Sequence, residues 1–237
     1  MTDYAFGTGQ AADLYVDQNL GADPSRFLPP GARPAGSQVL SGIEYTLFRD
    51  DVLDRRRVAP RPLARPARVL AVFGGTDPYG AAPVVVPAIL ATGRPVEVTA
   101  VAATADLAHR LSRLPVDPAE LQIVPPTPEL AELAQEADIV VSAAGSSVWE
   151  FLCLGVPTAL VCVVDNQVDG YRHATELGVA TPLGHLETFD PGVASARLAD
   201  LLDSADLRQR QARAGQALVD GKGRDRVAEA LLALVNA

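Results

Sequence analysis

The sequence predicts an open, parallel α/β sheet with helices on both faces. Three observations carry that prediction. From residue 67 onward, short apolar runs alternate with stretches of helical periodicity. Most of the runs are apolar almost throughout, the pattern of strands covered on both sides. Cap signals stand between them, at Asp77-Pro78 and Thr127-Pro128-Glu129. Strand and helix in alternation give parallel pairing through right-handed crossovers.

The elements follow in order. Arg68 to Phe73 is a strand that ends in Gly74-Gly75. A helix then starts with Asp77 as N-cap and Pro78 as its first residue. Ala81, Val84, Val85, Ala88 and Ile89 make its apolar face, and Pro87 kinks it. Val96 to Val101 is the next strand and Thr104 to Leu111 the next helix. Leu121 to Val124 is a strand, and Thr127-Pro128-Glu129 starts a helix with Leu130, Leu133 and Ala134 inward. Asp138 to Ser142 and Thr158 to Val164 are strands, separated by a helix over Val148 to Leu154. Val168 to Leu177 reads as a helix and Val179 to Pro182 as a short edge strand. Three further helices cover Pro191 to Leu202, Asp206 to Val219 and Asp225 to Val235, the last with Val227, Leu231 and Leu234 on one stripe.

Residues 1–66 read differently. Ala12 to Asp17 resembles one strand, and a Gly/Pro-rich stretch follows from Gly21 to Ser37. Val39 to Gly42 and Tyr45 to Phe48 come next. The arginines from Arg55 to Arg68, interleaved with prolines, read as a solvated linker. The division expected is therefore 1–66, the tail of an upstream domain plus linker, and 67–237, a Rossmann-like domain.

Composition narrows the function. The chain has 237 residues and is 48% hydrophobic, enough for one large domain or a domain with part of another. A formal charge of −9 and a pI of about 4.8 argue against a general nucleic-acid surface. Cys153 and Cys162 sit in apolar runs, as small buried hydrophobes in a reducing compartment, and neither has metal-ligand spacing to a histidine. No apolar run approaches the roughly 18 residues that span a bilayer, and the first ten residues lack the features of a signal peptide. A cytoplasmic protein without a membrane span is the expectation.

Residues 142 to 167 carry the chemistry. A buried strand runs into Ala144-Gly145-Ser146-Ser147, and a helix follows with Glu150 in its first turn. A glycine turn opening a helix aims backbone N–H groups and the positive dipole end at an anion. A carboxylate one turn further reaches sugar hydroxyls. Ser147 and Glu150 equally fit a capping box, so both readings stand on sequence alone. A second strand ends at Asp165-Asn166-Gln167, which reads either as a helix start or as ligand-binding groups. In open parallel sheets ligands bind beyond the carboxyl ends of the strands. That edge also holds Gly74-Gly75-Thr76-Asp77 and the loop at Pro125-Pro126-Thr127. Asp77 fits a cap or a ligand contact; Trp149 reads as packing.

The strings Ala12-Asp-Leu-Tyr-Val-Asp-Gln-Asn-Leu-Gly21, Tyr45-Thr-Leu-Phe-Arg49, Phe73-Gly-Gly-Thr-Asp77, Gly145-Ser-Ser-Val-Trp-Glu150, Gly155-Val-Pro157 and Asp165-Asn-Gln167 occur together in this order. In them the chain resembles the C-terminal, donor-binding half of GT-B glycosyltransferases of the family-28 type. More narrowly it is similar to the UDP-sugar hydrolase of the pseudaminic acid pathway and to spore-coat polysaccharide biosynthesis proteins. The resemblance implies that Glu150 holds the ribose and that the backbone of Gly145, Ser146 and Ser147 cradles the diphosphate. It implies further that Gly74, Gly75 and Thr76 approach the phosphates or sugar, that Ile123 and Val124 meet the base through main-chain groups, and that Asn166 and Gln167 bind the sugar.

The implied activity is glycosyl transfer from a UDP-sugar, with UDP-sugar hydrolysis or non-catalytic binding as the alternatives. No metal or other cofactor is implied. The family places a whole N-terminal domain, with a candidate histidine base, before the segment matched here. None of His109, His173 and His185 lies in the corresponding motif, so the catalytic base is unassigned. A missing half, in cis or as a separate chain, or a second copy is then expected to cover an apolar patch near Pro125-Pro126, Trp149 and the last helix.

Overall fold

The computed structural model describes residues 11–23, 34–57, 59 and 61–236. The expectations for the first ten residues and for residues 24–33 of the Gly/Pro-rich stretch lie outside them. Six parallel strands form the main sheet: β3 (Ala67–Val72), β4 (Val96–Val101), β5 (Leu121–Val124), β6 (Ile139–Ala143), β7 (Thr158–Cys162) and β8 (Thr181–His185). Their order is β5-β4-β3-β6-β7-β8. The chain therefore reverses its direction of growth between β3 and β6, whose registers run Val69 to Ile139 through Val72 to Ser142. A separate parallel pair, β1 (Leu14–Asp17) and β2 (Gln38–Ser41), precedes it. The described helices are α1 (Asp50–Asp54), α2 (Ala82–Leu90), α3 (Ala105–Ser112), α4 (Leu130–Glu136), α5 (Ser147–Leu154), α6 (Val168–Glu176), α7 (Pro191–Asp203), α8 (Ala205–Leu218) and α9 (Gly223–Val235).

The sheet is sandwiched between two apolar layers. On one face, Leu70, Val140 and Leu160 meet Phe151, Leu152 and Leu154 of α5. On the other, Val69, Val98, Ile139 and Val161 meet Val85 and Ile89 of α2 and Leu198 and Leu201 of α7. Central strands β6 and β7 are buried at every residue, which is why their sequence shows no alternation.

Several local expectations are corrected. Asp77 does not start its helix in place. Its backbone is left-handed, with φ 42°, and its buried carboxylate reaches forward to accept from Ala81 N (2.8 Å) and Ala82 N (2.9 Å). The helix thus begins at Ala82 with Pro83, not Pro78, in its first turn. Val84 faces solvent and Val86 takes its place inside. Thr127 likewise stays outside α4: its hydroxyl accepts from Glu129 N, closing a turn before the helix opens at Leu130. The edge strand forms two residues later than expected, at Thr181–His185. In α9, Val227 is buried, but Leu231 is exposed together with Leu232 and Val235.

The arginine-rich segment is a strap, not a solvated linker. Arg57 donates to the carbonyls of Gln135 and Ala137, and Arg61 to those of Gln135 and Glu136. Arg56 donates to Gln216 O and Val219 O. These are the orphan carbonyls at the C-terminal ends of α4 and α8, where cations also oppose the negative dipole end. Burial, with Arg61 alongside, lowers the pKa of Arg57 to about 10. Residues 43–52 lie on the same core as α5, through Ile43, Phe48 and Val52. Gly223 at the start of α9 lets that helix approach the backbone at Tyr45 and Thr46, which an added Cβ would strike.

Candidate functional site

The carboxyl ends of the strands converge on the turn between β6 and α5. Three adjoining hollows open around it, of about 260, 130 and 130 Å3. One of the smaller two is framed by Phe73 and Gly74 after β3 and by Ser142, Ala143 and Gly145 at the end of β6, at the point where strand order reverses. The second is walled by Glu150, Ser147, Ser146, Gln18 and Asn19. The largest is lined by Gly145, Ser146, Asn166, Gln167, Asp17 and Asp169, among others.

The helix start at the centre is open. Ser146 takes the cap position of α5, and no side chain caps the helix. The capping box between Ser147 and Glu150 does not form, because Ser147 is already helical. By contrast, Asp77 occupies the N-terminus of α2, and Thr104 caps α3 through Leu107 N. Uncapped N–H groups carry the positive end of the dipole and suit an anion.

Glu150 stands one turn into α5, half-buried, with no hydrogen bond to its carboxylate among the described residues. Burial pushes its pKa up, and the Arg49 guanidinium draws it partly back down. A desolvated carboxylate of this kind is a strong acceptor for hydroxyl donors. Gly145 does not have a positive φ, and an added Cβ would meet only Gln167 Nε2, at 3.6 Å. The turn itself therefore does not demand glycine; the missing side chain leaves floor space between the hollows. Gln167 is oriented from within, since its Oε1 accepts from Val163 N at 3.0 Å and its amide nitrogen faces Gly145.

The structure brings Gly74, Gly145, Ser146, Ser147, Glu150, Asn166 and Gln167 to this cluster. Gly75 and Thr76 are exposed beside it and line none of the hollows. Ile123 and Val124 end the edge strand β5, with Val124 O accepting from Ala102 N, and also lie outside the hollows. Asp17, Gln18 and Asn19, which in sequence read either as a strand end or, through the matched string, as functional residues, also line the hollows. They arrive because Gln18 Oε1 accepts from Leu47 N and Leu20 enters the core beside α5. The polar triplet directly after β1 was the signal. Trp149 is buried, as a packing residue should be, yet it forms a wall shared by two of the hollows. It is therefore no part of an exposed patch.

None of the three histidines lines the hollows. His173 Nδ1 donates to Asp169 O at 2.7 Å, and its ring closes over Gly21, whose added Cβ it would strike. His185 packs edge-on against Tyr171, and His109 lies on α3. Both cysteines are free and buried, with burial raising both thiols. Among the described residues no helix is long and apolar enough to cross a membrane.

A parallel six-stranded sheet flanked by helices, with a hollow at its topological switch point, is a Rossmann-like half of the GT-B type, preceded by the short β1–β2 pair. Comparison with known proteins bears this out. Over 108 residues the chain is 30% identical to the spore coat polysaccharide biosynthesis protein SpsG of Bacillus subtilis, a match covering 46% of this chain and 32% of that protein. The crystal structure of MurG from Acinetobacter baumannii, a GT-B glycosyltransferase, superposes with a TM-score of 0.64 at 21% identity, over 91% of this chain and 65% of that one. A protein described as a UDP-N-acetylglucosamine 2-epimerase from Listeria monocytogenes gives 0.59 at 14% identity, over 78% of this chain and 51% of that one. The match thus spans about a third of its curated relative. No family model matches the chain. Transferases and an epimerase share this architecture, so the reaction has to be argued from the site.

Proposed function

We propose that this chain binds a UDP-sugar and acts as the donor half in GT-B glycosyl transfer. One observation carries the reading: the uncapped start of α5 opens between three hollows, with a half-buried, unbonded carboxylate one turn further on. Glu150 accepts from the ribose hydroxyls. The N–H groups at Gly145, Ser146 and Ser147 receive the diphosphate, with Gly74, Gly75 and Thr76 closing from the β3 loop. Ile123 and Val124 offer main-chain groups to the base. Asn166 and Gln167 hold the sugar.

The chemistry asked of these residues is positioning and charge stabilisation. Departure of UDP leaves negative charge on the diphosphate, and preorganised N–H dipoles at a helix start stabilise it. The sugar passes to an acceptor hydroxyl or to water. Residues 67–237 carry the nucleotide-sugar domain, and residues 1–66 the preceding segment that delivers Gln18 and Asn19 to it. The likeness to SpsG, a spore coat polysaccharide biosynthesis protein, supports a place in polysaccharide synthesis, with hydrolysis of the UDP-sugar as the alternative to its transfer.

The test is calorimetric titration of the chain with UDP, with ADP and CDP as controls. Saturable binding of UDP in preference to the other two is expected. Absence of UDP binding at millimolar concentration would refute the proposal. Transfer and hydrolysis are then separated by following sugar release from UDP-sugars with and without a polysaccharide-precursor acceptor.

A further inference from the structure

A basin of about 730 Å3, larger than any of the three hollows, opens at the opposite edge of the sheet. Ala67 begins β3 there, Pro95 stands just before β4, Asp138 just before β6 and Pro157 just before β7. This is the edge at which the strands start, and the basin shares no lining residue with the hollows.

Five arginines line it: Arg57, Arg61 and Arg65 from the strap, Arg94 ahead of β4 and Arg208 on α8. Three carboxylates stand among them. Asp203 is taken up by Arg94, through contacts of 2.8 and 2.6 Å. Asp138 accepts from Ala64 N and Arg68 N and lies 3.8 Å from Arg61. Asp206 lies in the first turn of α8. The arginines therefore outnumber the carboxylates on a chain whose net charge is −9. Residues 58 and 60, outside the described residues, are valine and proline and carry no charge into the basin.

A second observation is how the guanidinium groups are partnered. Arg57 and Arg61 donate to main-chain carbonyls at the end of α4, and Arg208 to those of Leu201 and Leu202 in α7. A carbonyl orients a guanidinium without neutralising it. Arg57 Nε is buried without an acceptor, and Arg65 makes no hydrogen bond or ion pair among the described residues. Burial and the adjacent Arg61 both disfavour the charge on Arg57, and an anion in the basin would offset them.

We propose that this basin binds a small dissolved molecule carrying two or more linked phosphate groups. Guanidinium forks match phosphate oxygens, and the cations stand on separate elements, the strap, the approach to β4 and α8, so several oxyanion groups are engaged at once. A lone carboxylate would fill one fork only. The site is independent of the UDP-sugar reading.

The probe is sodium tripolyphosphate, titrated calorimetrically into the full chain in phosphate-free buffer of low ionic strength. Saturable binding that weakens as salt is added is expected. Arg65→Gln should weaken it about tenfold or more with the melting temperature unchanged, since that side chain is exposed and holds no partner among the described residues. Arg61→Gln should weaken it too, with some loss of stability from the missing carbonyl bonds. No saturable binding at millimolar tripolyphosphate overturns the proposal. Binding that neither substitution weakens puts the anion elsewhere, at the open start of α5 for example, and overturns the proposal while the UDP-sugar reading stands. Retention on phosphatidylglycerol vesicles, lost in Arg65→Gln, without binding of dissolved tripolyphosphate means that the arginines meet a lipid surface, and overturns it as well.

Discussion

Replacing Glu150 by glutamine is expected to weaken UDP binding and, at neutral pH, to leave the fold no less stable. The two effects have one cause. The carboxylate sits half-buried at the edge of a hollow, without a hydrogen bond among the described residues, and desolvation lifts its pKa against a smaller opposing pull from Arg49. For the free protein the ionised form is therefore a cost. A group whose folded pKa is raised contributes full stability below its unfolded pKa, about 4.3 for glutamate, and loses it as pH rises through the folded value. Glu150→Gln should thus match or exceed the parent in melting temperature at pH 7, with the difference closing towards pH 4. Binding runs the other way. Hydrogen bonds to a charged acceptor are worth about 1.5–3 kcal/mol against about 1 for a neutral one, so losing the charge beneath a ribose should cost about 0.5–2 kcal/mol. That is about 2- to 30-fold in Kd. Calorimetric titration with UDP and thermal melts across pH 4 to 7 measure both. A variant that binds UDP unchanged but melts lower at pH 7 would refute the argument and restore Glu150 as a structural residue.

Gly145→Ala tests the floor of the site: with no positive φ and its nearest contact at 3.6 Å, the fold should tolerate the methyl group while UDP binding falls, and normal UDP affinity would count against a phosphate there. Arg57→Met should cost about 2–4 kcal/mol in urea unfolding, because the carbonyls of Gln135 and Ala137 lose their donor, yet leave UDP affinity intact at the far edge of the sheet. Asp77→Ala should cost about 2–3 kcal/mol by removing the cap of α2 and placing alanine in a left-handed conformation, and Asp77→Asn markedly less, which paired denaturant melts would check.

How much of this was legible in the chain depends on the range of the interaction involved. The order of strands and helices from residue 67 was legible because β3, β4, β6 and β7 are covered on both faces, and burial on both faces writes itself into an apolar run. The turn at Gly145–Ser147 was legible for the same local reason: glycine, two serines and an acidic first turn lie within one stretch. Cap positions were misread wherever a side chain reached further than a standard cap. Asp77 looks like an N-cap in sequence, but its left-handed backbone carries the carboxylate to the N–H groups of residues 81 and 82. The capping box failed for the converse reason, since α5 starts one residue earlier than that pattern needs.

The arginine strap and the polar triplet at residues 17–19 show where local reading stops. Arg56 bonds carbonyls 160 and 163 residues away, and Gln18 bonds Leu47 across 29. Nothing in the composition of Arg55 to Arg68 distinguishes a solvated linker from a segment that closes two helix ends. Only the topology, which places the C-termini of α4 and α8 at the same edge, makes that distinction. Asp17 follows the same logic at the opposite edge. As sequence it is the last residue of a short strand; the packing of Leu20 beside α5 is what turns it towards the hollow that Asn166 and Gln167 enter from the other side. The site is therefore a joint product of two segments. The main sheet supplies the open helix start and Glu150, and the segment before it supplies the polar wall. Changes at Glu150 should accordingly alter how tightly a uridine nucleotide is held.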